Sequence, residues 1–316
     1  MDERGQRSRN PLASFVALSA AVALFVVSML PVRASSQVGS ELLHQYRIDV
    51  TGPSGANEPV MVTFPRLPGR KLHPDGHRWP VVVALHGLGE AQRGVERGFL
   101  GWNVDYQLPR AFEAMLSGRL TSANFQGFVR PPHLSRINAW LASGGFEGVA
   151  VITPYTPAVL DPANAEALAR YGDWLAGPLL EQVRAQYPGL ARTSAGTGID
   201  GISLGGRIAL EVGFRHPESF GAVGGIQPAV RGDAERLTAM VRPEAGQRIR
   251  LVSSDGDSFL EATRALSERL RERRIPHDLV VTPGPHDYPF NRGPGSIELL
   301  RFGQMALRPE PATDAP

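Results

Sequence analysis

Three polar side chains at separate points of this chain have the types needed to turn a hydroxyl into a nucleophile. Ser203 stands inside Gly201-Ile202-Ser203-Leu204-Gly205-Gly206, a Gly-x-Ser-x-Gly stretch. A short strand-like run, 197–202, leads into it, and a helical pattern, 208–216, follows. In that setting the chain turns sharply from strand to helix and leaves the hydroxyl exposed at the tip. The flanking glycines let the two backbones approach where a Cβ would not fit. A serine hydroxyl is a weak nucleophile alone; it needs a base and an oxyanion site. His286 is the candidate base, and Asp255 or Asp257 is the acid that would orient it. One oxyanion N–H would come from Leu204, directly after the serine. In a chain with 35 glycines the pentapeptide is weak by itself, and its bland reading is a glycine-rich turn with a solvated serine.

The elements that must position these groups follow from hydrophobic patterning. Continuous apolar runs at 80–85, 148–153, 220–226, 249–253 and 278–282 suit strands covered on both faces, as in a parallel sheet. Two earlier strands, 44–50 and 59–64, flank a turn-rich segment at 51–58. Helical patterns occupy 163–187, 208–216, 259–273 and 295–307, the first kinked or restarted at Gly177-Pro178 because proline removes a helix hydrogen bond. Strands alternating with helices predict an α/β fold, with a mostly parallel sheet and helices on both faces.

In such sheets functional groups gather at the carboxyl ends of the strands. His86-Gly87-Leu88-Gly89 follows the first apolar run, Ser203 follows 197–202, and Ser254-Asp255-Gly256-Asp257 follows 249–253. Pro283-Gly284-Pro285-His286-Asp287-Tyr288 follows 278–282. A small-residue loop, a serine, an acid and a histidine are thus expected at one sheet edge. Their chain order is Ser, Asp, His.

This joint arrangement resembles the α/β-hydrolase superfamily, especially its putative-esterase branch, which includes enterochelin esterase-like proteins, feruloyl esterases, S-formylglutathione hydrolases and mycolyltransferases. The resemblance spans roughly 80–302 and is closest over 171–220, where Gly201–Gly206 is followed by Ala209-Leu210 and His216-Pro217-Glu218-Ser219-Phe220. It implies an α/β-hydrolase fold and acyl chemistry through a Ser-His-Asp triad. The family's acid ends a Gly-x-x-Asp stretch; Ser254 takes the Gly place here and Asp257 the Asp place, which favours Asp257 over Asp255. Asp255-Gly256 also reads as a turn. The family's histidine follows Pro-Gly-Gly, and here Pro283-Gly284-Pro285 precedes His286. The resemblance places the second oxyanion N–H at Leu88. Where many members have Ser-Gly after the next strand, this chain has Ile226-Gln227-Pro228.

The remaining polar candidates have other readings. His277 enters its strand at the amino end, the wrong edge. His216 precedes Pro217 and caps a helix. Asp287 adjoins His286 too closely to fold back onto it and is structural. His73 and His77 lie in a Pro/Gly loop with no further clear ligand, so no metal is expected. The triad supplies its own base and electrophilic site, so no cofactor is expected either.

Composition bounds the rest. Apolar residues at 42% and charged residues at 20% are those of a globular protein with ample core. With no cysteine there is no disulfide and no thiolate nucleophile. Arg4, Arg7 and Arg9 precede an apolar run at 12–30, and Val32 and Ala34 suit a signal-peptidase site. Residues 1–34 therefore read as a signal peptide, or alternatively as a membrane anchor, since the run is just long enough to span a bilayer. In both cases the rest of the chain is outside the cytoplasm, secreted or periplasmic. Without that segment's four arginines and two acids, 29 basic and 29 acidic residues remain, and no basic stripe points to nucleic acid.

The hydrolase domain is expected over 40–308 and a disordered tail over 309–316. The segment 90–148 carries Phe99, Trp102, Tyr106, Phe112, Phe125, Phe128, Trp140 and Phe146, and reads either as a lid or pocket wall or as a helical layer with its own core. The leading expectation is an exported serine hydrolase of carboxylic esters, acting on a small-molecule or lipid or sugar ester. The alternatives are acyl transfer to a sugar or lipid hydroxyl, and a non-catalytic hydrolase-fold binding protein.

Overall fold

The structure, a computed structural model, describes residues 41–66, 78–161 and 164–310. Its organising element is a sheet of eight strands in the order β1-β2-β4-β3-β5-β6-β7-β8. β1 (Leu43–Thr51) and β2 (Asn57–Pro65) form an antiparallel hairpin, and β2 pairs antiparallel with β4 (Ala150–Pro154). β3 (Val81–Leu85), β5 (Thr197–Gly201), β6 (Ala222–Ile226), β7 (Arg248–Gly256) and β8 (Asp278–Pro285) run parallel to β4 and to one another. This is the α/β-hydrolase arrangement.

Side chains alternate across the sheet, as the two-residue period of a strand requires. Val81, Val83 and Leu85 face one layer, packed with Leu175, Leu180, Ile208, Phe214 and Leu266. Val82 and Ala84 face the other, with Trp102, Phe112, Phe125, Leu299 and Leu300. The first layer includes α5 (Ala165–Trp174), α6 (Leu180–Gln186), α7 (Leu204–Arg215) and α9 (Leu260–Glu272). A π-helical turn, Leu175–Leu179, joins α5 to α6 and contains Pro178, so the proline deforms this helical stretch without ending it.

The second layer includes α3 (Leu108–Leu116), α4 (Pro131–Ala142) and α11 (Ser296–Ala306). Most of 90–148 belongs to this layer. Trp102, Phe112 and Phe125 are fully buried against the sheet and α11. Near the end of the described residues, the Glu310 carboxylate accepts hydrogen bonds from the Arg192 N–H (2.8 Å) and Thr193 N–H (2.6 Å), and its carbonyl accepts from Arg78 N–H (2.8 Å).

The strand order decides where a site can form. β4 lies on one side of β3 and β5 on the other, so the chain leaves the carboxyl ends of β3 and β5 in opposite directions. A crevice opens at such a switch point in open α/β sheets. The β3 exit carries His86–Gly89, and the β5 exit carries Ser203.

Candidate active site

The elbow is built by close backbone approach. A Cβ on Gly205 would lie 2.3 Å from Leu85 O, and one on Gly201 would lie 2.5 Å from the Gly205 carbonyl. Neither position admits a side chain without moving backbone. Between them Ser203 adopts φ 55° and ψ −115°, a conformation costing on the order of 1–3 kcal/mol for a residue with a side chain. Backbone hydrogen bonds to β6, α7 and the loop after β6 hold it there. Ser203 N–H donates to Ile226 O (2.9 Å), and its carbonyl accepts from Arg207 N–H and Ala229 N–H, each at 3.0 Å.

From the far side of the sheet edge β8 delivers His286. Its Nε2 lies 2.9 Å from Ser203 Oγ, and its Nδ1 lies 2.8 Å from Asp257 Oδ1. A carboxylate can only accept, so Nδ1 carries the proton and donates to Asp257, leaving Nε2 to accept the serine proton. The Phe259 ring meets the imidazole edge-on, with centroids 5.5 Å apart.

Asp257 has no exposed side-chain surface. Burial pushes its pKa up, but hydrogen bonds from His286, Phe259 N–H (2.9 Å) and Ser253 Oγ (2.7 Å) outweigh burial and hold it below its ordinary value. It is therefore an anion at neutral pH. Asp255, two residues earlier, does something different. A register shift between β7 and β8 at Ser254–Gly256 turns it outward, where it accepts from Gly284 N–H (3.1 Å) and Arg130 Nη2 (3.2 Å). Of the two acids left open by the sequence, the one beside the imidazole is Asp257.

On the opposite side of Ser203 lies the β3 exit. A Cβ on Gly87 would sit 3.7 Å from Ser203 Cβ. Leu88 opens α1 (Leu88–Ala91) and Leu204 opens α7, so neither N–H has an acceptor within its own helix. The peptide that carries the Leu88 N–H is held by its carbonyl. Gly87 O accepts from Ala91 N–H (3.2 Å) and His86 Nδ1 (3.0 Å). In a planar trans peptide the N–H of Leu88 then points the opposite way. His86 can donate from Nδ1 because Nε2 accepts from Thr156 N–H (2.9 Å), which fixes its tautomer. Burial lowers the His86 pKa to about 4, so the ring stays neutral.

Gln227 is a site residue that the motifs did not reveal. It is fully buried at φ 43°, a backbone conformation that favours glycine. Its Nε2 donates to Ser254 Oγ (2.7 Å) and to Pro285 O (2.9 Å), tying the β7 exit to the residue before His286. The only signal in the sequence was its place where the resembling family has Ser-Gly.

The other candidates lie elsewhere. His277 is hydrogen-bonded to Ser267 Oγ (2.7 Å), and His216 lies by Asp173 (3.3 Å) and Glu218 (3.1 Å). Asp287 caps a short helix, α10 (Tyr288–Phe290), by accepting from Phe290 N–H (3.0 Å). His73 and His77 lie outside the described residues. Among the described residues no group of three or more His, Cys, Asp or Glu could hold a metal ion.

The profile of a family described as "Putative esterase" matches residues 57–290, about three quarters of the chain. The chain belongs to that family. Its activity class is carboxylic ester hydrolysis. Several solved structures share the fold at low identity. A ferulic acid esterase from Anaeromyces mucronatus, complexed with ferulic acid, has a TM-score of 0.56 at 16% identity, covering 86% of this chain and 95% of its own. The enterobactin esterase of Shigella flexneri has 0.53 at 19%, covering 83% and 60%. An S-formylglutathione hydrolase from Staphylococcus aureus has 0.51 at 13%, covering 84% and 98%. Among curated protein sequences none matches.

Proposed function

We propose that this esterase is an exported serine hydrolase that cleaves its substrate through an acyl-enzyme on Ser203. The observation that carries the reading is the unbroken hydrogen-bonded run Asp257–His286–Ser203 at the switch point of the sheet. In the first half-reaction Ser203 Oγ attacks the ester carbonyl carbon while its proton passes to His286 Nε2. The carbonyl oxygen becomes an oxyanion, stabilised by the N–H groups of Leu88 and Leu204. Collapse expels the alcohol, which takes the proton from Nε2 and leaves the acyl group on Ser203. Water then repeats the sequence: its proton goes to Nε2, its oxygen attacks the acyl carbon, and the acid leaves as Ser203 regains the proton. Asp257 keeps Nε2 free to accept and stabilises the imidazolium that forms twice per cycle.

Export rests on the arginine-led apolar run at 12–30, which lies outside the described residues. Among the described residues no helix is long and apolar enough to cross a membrane.

The ferulic acid complex of a structural neighbour makes aryl esters the sensible first substrates to try. The test is a panel of p-nitrophenyl esters of graded chain length together with methyl ferulate, run on the parent and on Ser203→Ala. The expected result is turnover by the parent and a loss of kcat of roughly 10⁴-fold or more in the variant. Equal turnover by both proteins would overturn the reading.

A further inference from the structure

A buried acid that plays no part in the reaction above lies between the two loops the reaction needs. Glu90, in α1, is 1% exposed. Both of its oxygens accept from tyrosines. Oε2 takes a short hydrogen bond from Tyr106 OH, and Oε1 accepts from Tyr288 OH at 2.6 Å. Tyr106 OH in turn accepts from Gly87 N–H at 2.9 Å. Tyr288 stands two residues after His286 in the chain. Its hydroxyl accepts from Arg93 Nη2 at 3.0 Å, and Arg93 Nη1 is paired with Asp105 at 2.8 Å.

The surroundings are shaped for this carboxylate. A Cβ on Gly101 would lie 2.7 Å from Glu90 Cγ, and one on Gly89 would lie 2.8 Å from Tyr288 OH. Taking a carboxylate out of water is costly unless its lone pairs are satisfied, and replacing a buried ionic cluster with apolar side chains is often neutral or stabilising. Stability alone therefore gives little reason for an acid here. Geometry gives one. Gly87 has its carbonyl held by Ala91 and His86, and its N–H held by Tyr106. Glu90 then fixes Tyr106 and Tyr288 with one rigid group.

We propose that Glu90 is a positioning residue, a clasp that sets the Leu88 oxyanion peptide and the His286 loop at a fixed separation across Ser203. The inference rests on the reading of Ser203 and His286 given above. Glu90 touches no reacting atom; it acts through Tyr106 on one side and through Tyr288 on the other. A loss of registry of about 1 Å between catalytic groups can cost on the order of 100-fold in rate.

The experiment compares Glu90→Gln, Tyr288→Phe and the double variant with the parent. It measures kcat, KM, thermal midpoint and inhibition by an aryl trifluoromethyl ketone, whose serine adduct carries an oxyanion. Glu90→Gln is expected to lower kcat roughly 10- to 100-fold with KM within about twofold, and to weaken the ketone by a similar factor. Tyr288→Phe keeps the ring and removes only the hydroxyl. It should lower kcat roughly tenfold, and the double variant should be little worse than Glu90→Gln, because both cut the same tie.

Unchanged kcat and ketone affinity in the folded single variants would overturn the clasp. So would strictly multiplicative losses in the double variant. Activity retained by Ser203→Ala would instead sink the underlying reading, so the two failures are distinguishable.

Discussion

His86 and His286 occupy equivalent places in the fold. Each directly follows a parallel strand at its carboxyl end, β3 for one and β8 for the other. Each has both ring nitrogens hydrogen-bonded. The difference lies in what they face. His86 is fully buried and bonded to two backbone groups, Gly87 O and Thr156 N–H, neither of which titrates near neutral pH. His286 is about a quarter exposed and stands between a carboxylate and a hydroxyl. One imidazole is locked in a single tautomer and shapes a loop. The other has a route for a proton across its ring. Position at the sheet edge gathers candidates, but partner chemistry assigns their work.

The contrast breaks most visibly through the acid. Asp257→Asn removes the negative charge and sets beside Nδ1 an amide that can donate as well as accept, so the His286 tautomer is no longer fixed, and kcat for ester hydrolysis should fall about 10⁴-fold. Asp255→Asn, two residues away, loses only a partly exposed ion pair with Arg130 and should stay within about tenfold of the parent. Comparable losses in the two variants, by steady-state kinetics on one aryl ester, would contradict the assignment of the acid.

A smaller effect is expected at His86. His86→Gln disturbs the hydrogen bonds that orient the Gly87–Leu88 peptide, and should lower kcat by roughly 10- to 100-fold while Ser203 still reacts. A parent-like kcat would show that the Leu88 peptide keeps its aim without this ring.

A further effect is thermodynamic. Burial puts the folded pKa of His86 at about 4, below the ordinary 6.5. Between those values the unfolded chain binds a proton that the folded chain does not. The stability that His86 supplies as a neutral ring is therefore complete above about pH 6.5 and is lost as pH falls toward 4. The loss is on the order of 3 kcal/mol. Urea unfolding from pH 7 to pH 4 should show this decline, with a shallower slope in His86→Gln. An equal slope in both proteins would remove His86 from the pH dependence.

These regions were unequally legible in the sequence. The elbow could be read because its determinants are local: glycines at 201 and 205 around one serine, between an apolar run and a helical period. The edge that gathers Ser203, His286 and the acids could be read because parallel strands are continuous apolar runs with their exits in plain view. The choice between Asp255 and Asp257 was harder. It depends on a register shift between β7 and β8 that no local pattern announces; the resemblance and the turn-like Asp255-Gly256 are what favour Asp257. Glu90 and Gln227 were out of reach. Glu90 meets Tyr288 across 198 positions, and Gln227 meets Pro285 across 58. Pairings of that kind leave no periodicity in a single sequence. The aromatic segment at 90–148 fell between these cases: its apolar content was evident, but the face it covers became clear only with the sheet.

The central question is whether His286 makes the Ser203 hydroxyl reactive. A fluorophosphonate probe reports this directly, because it phosphonylates only an activated serine, and peptide mass mapping locates the adduct. One equivalent should attach to Ser203 in the parent, none in Ser203→Ala, and attachment should be far slower in His286→Ala. A folded parent that takes up no probe at Ser203, or a His286→Ala variant labelled as fast as the parent, would contradict it.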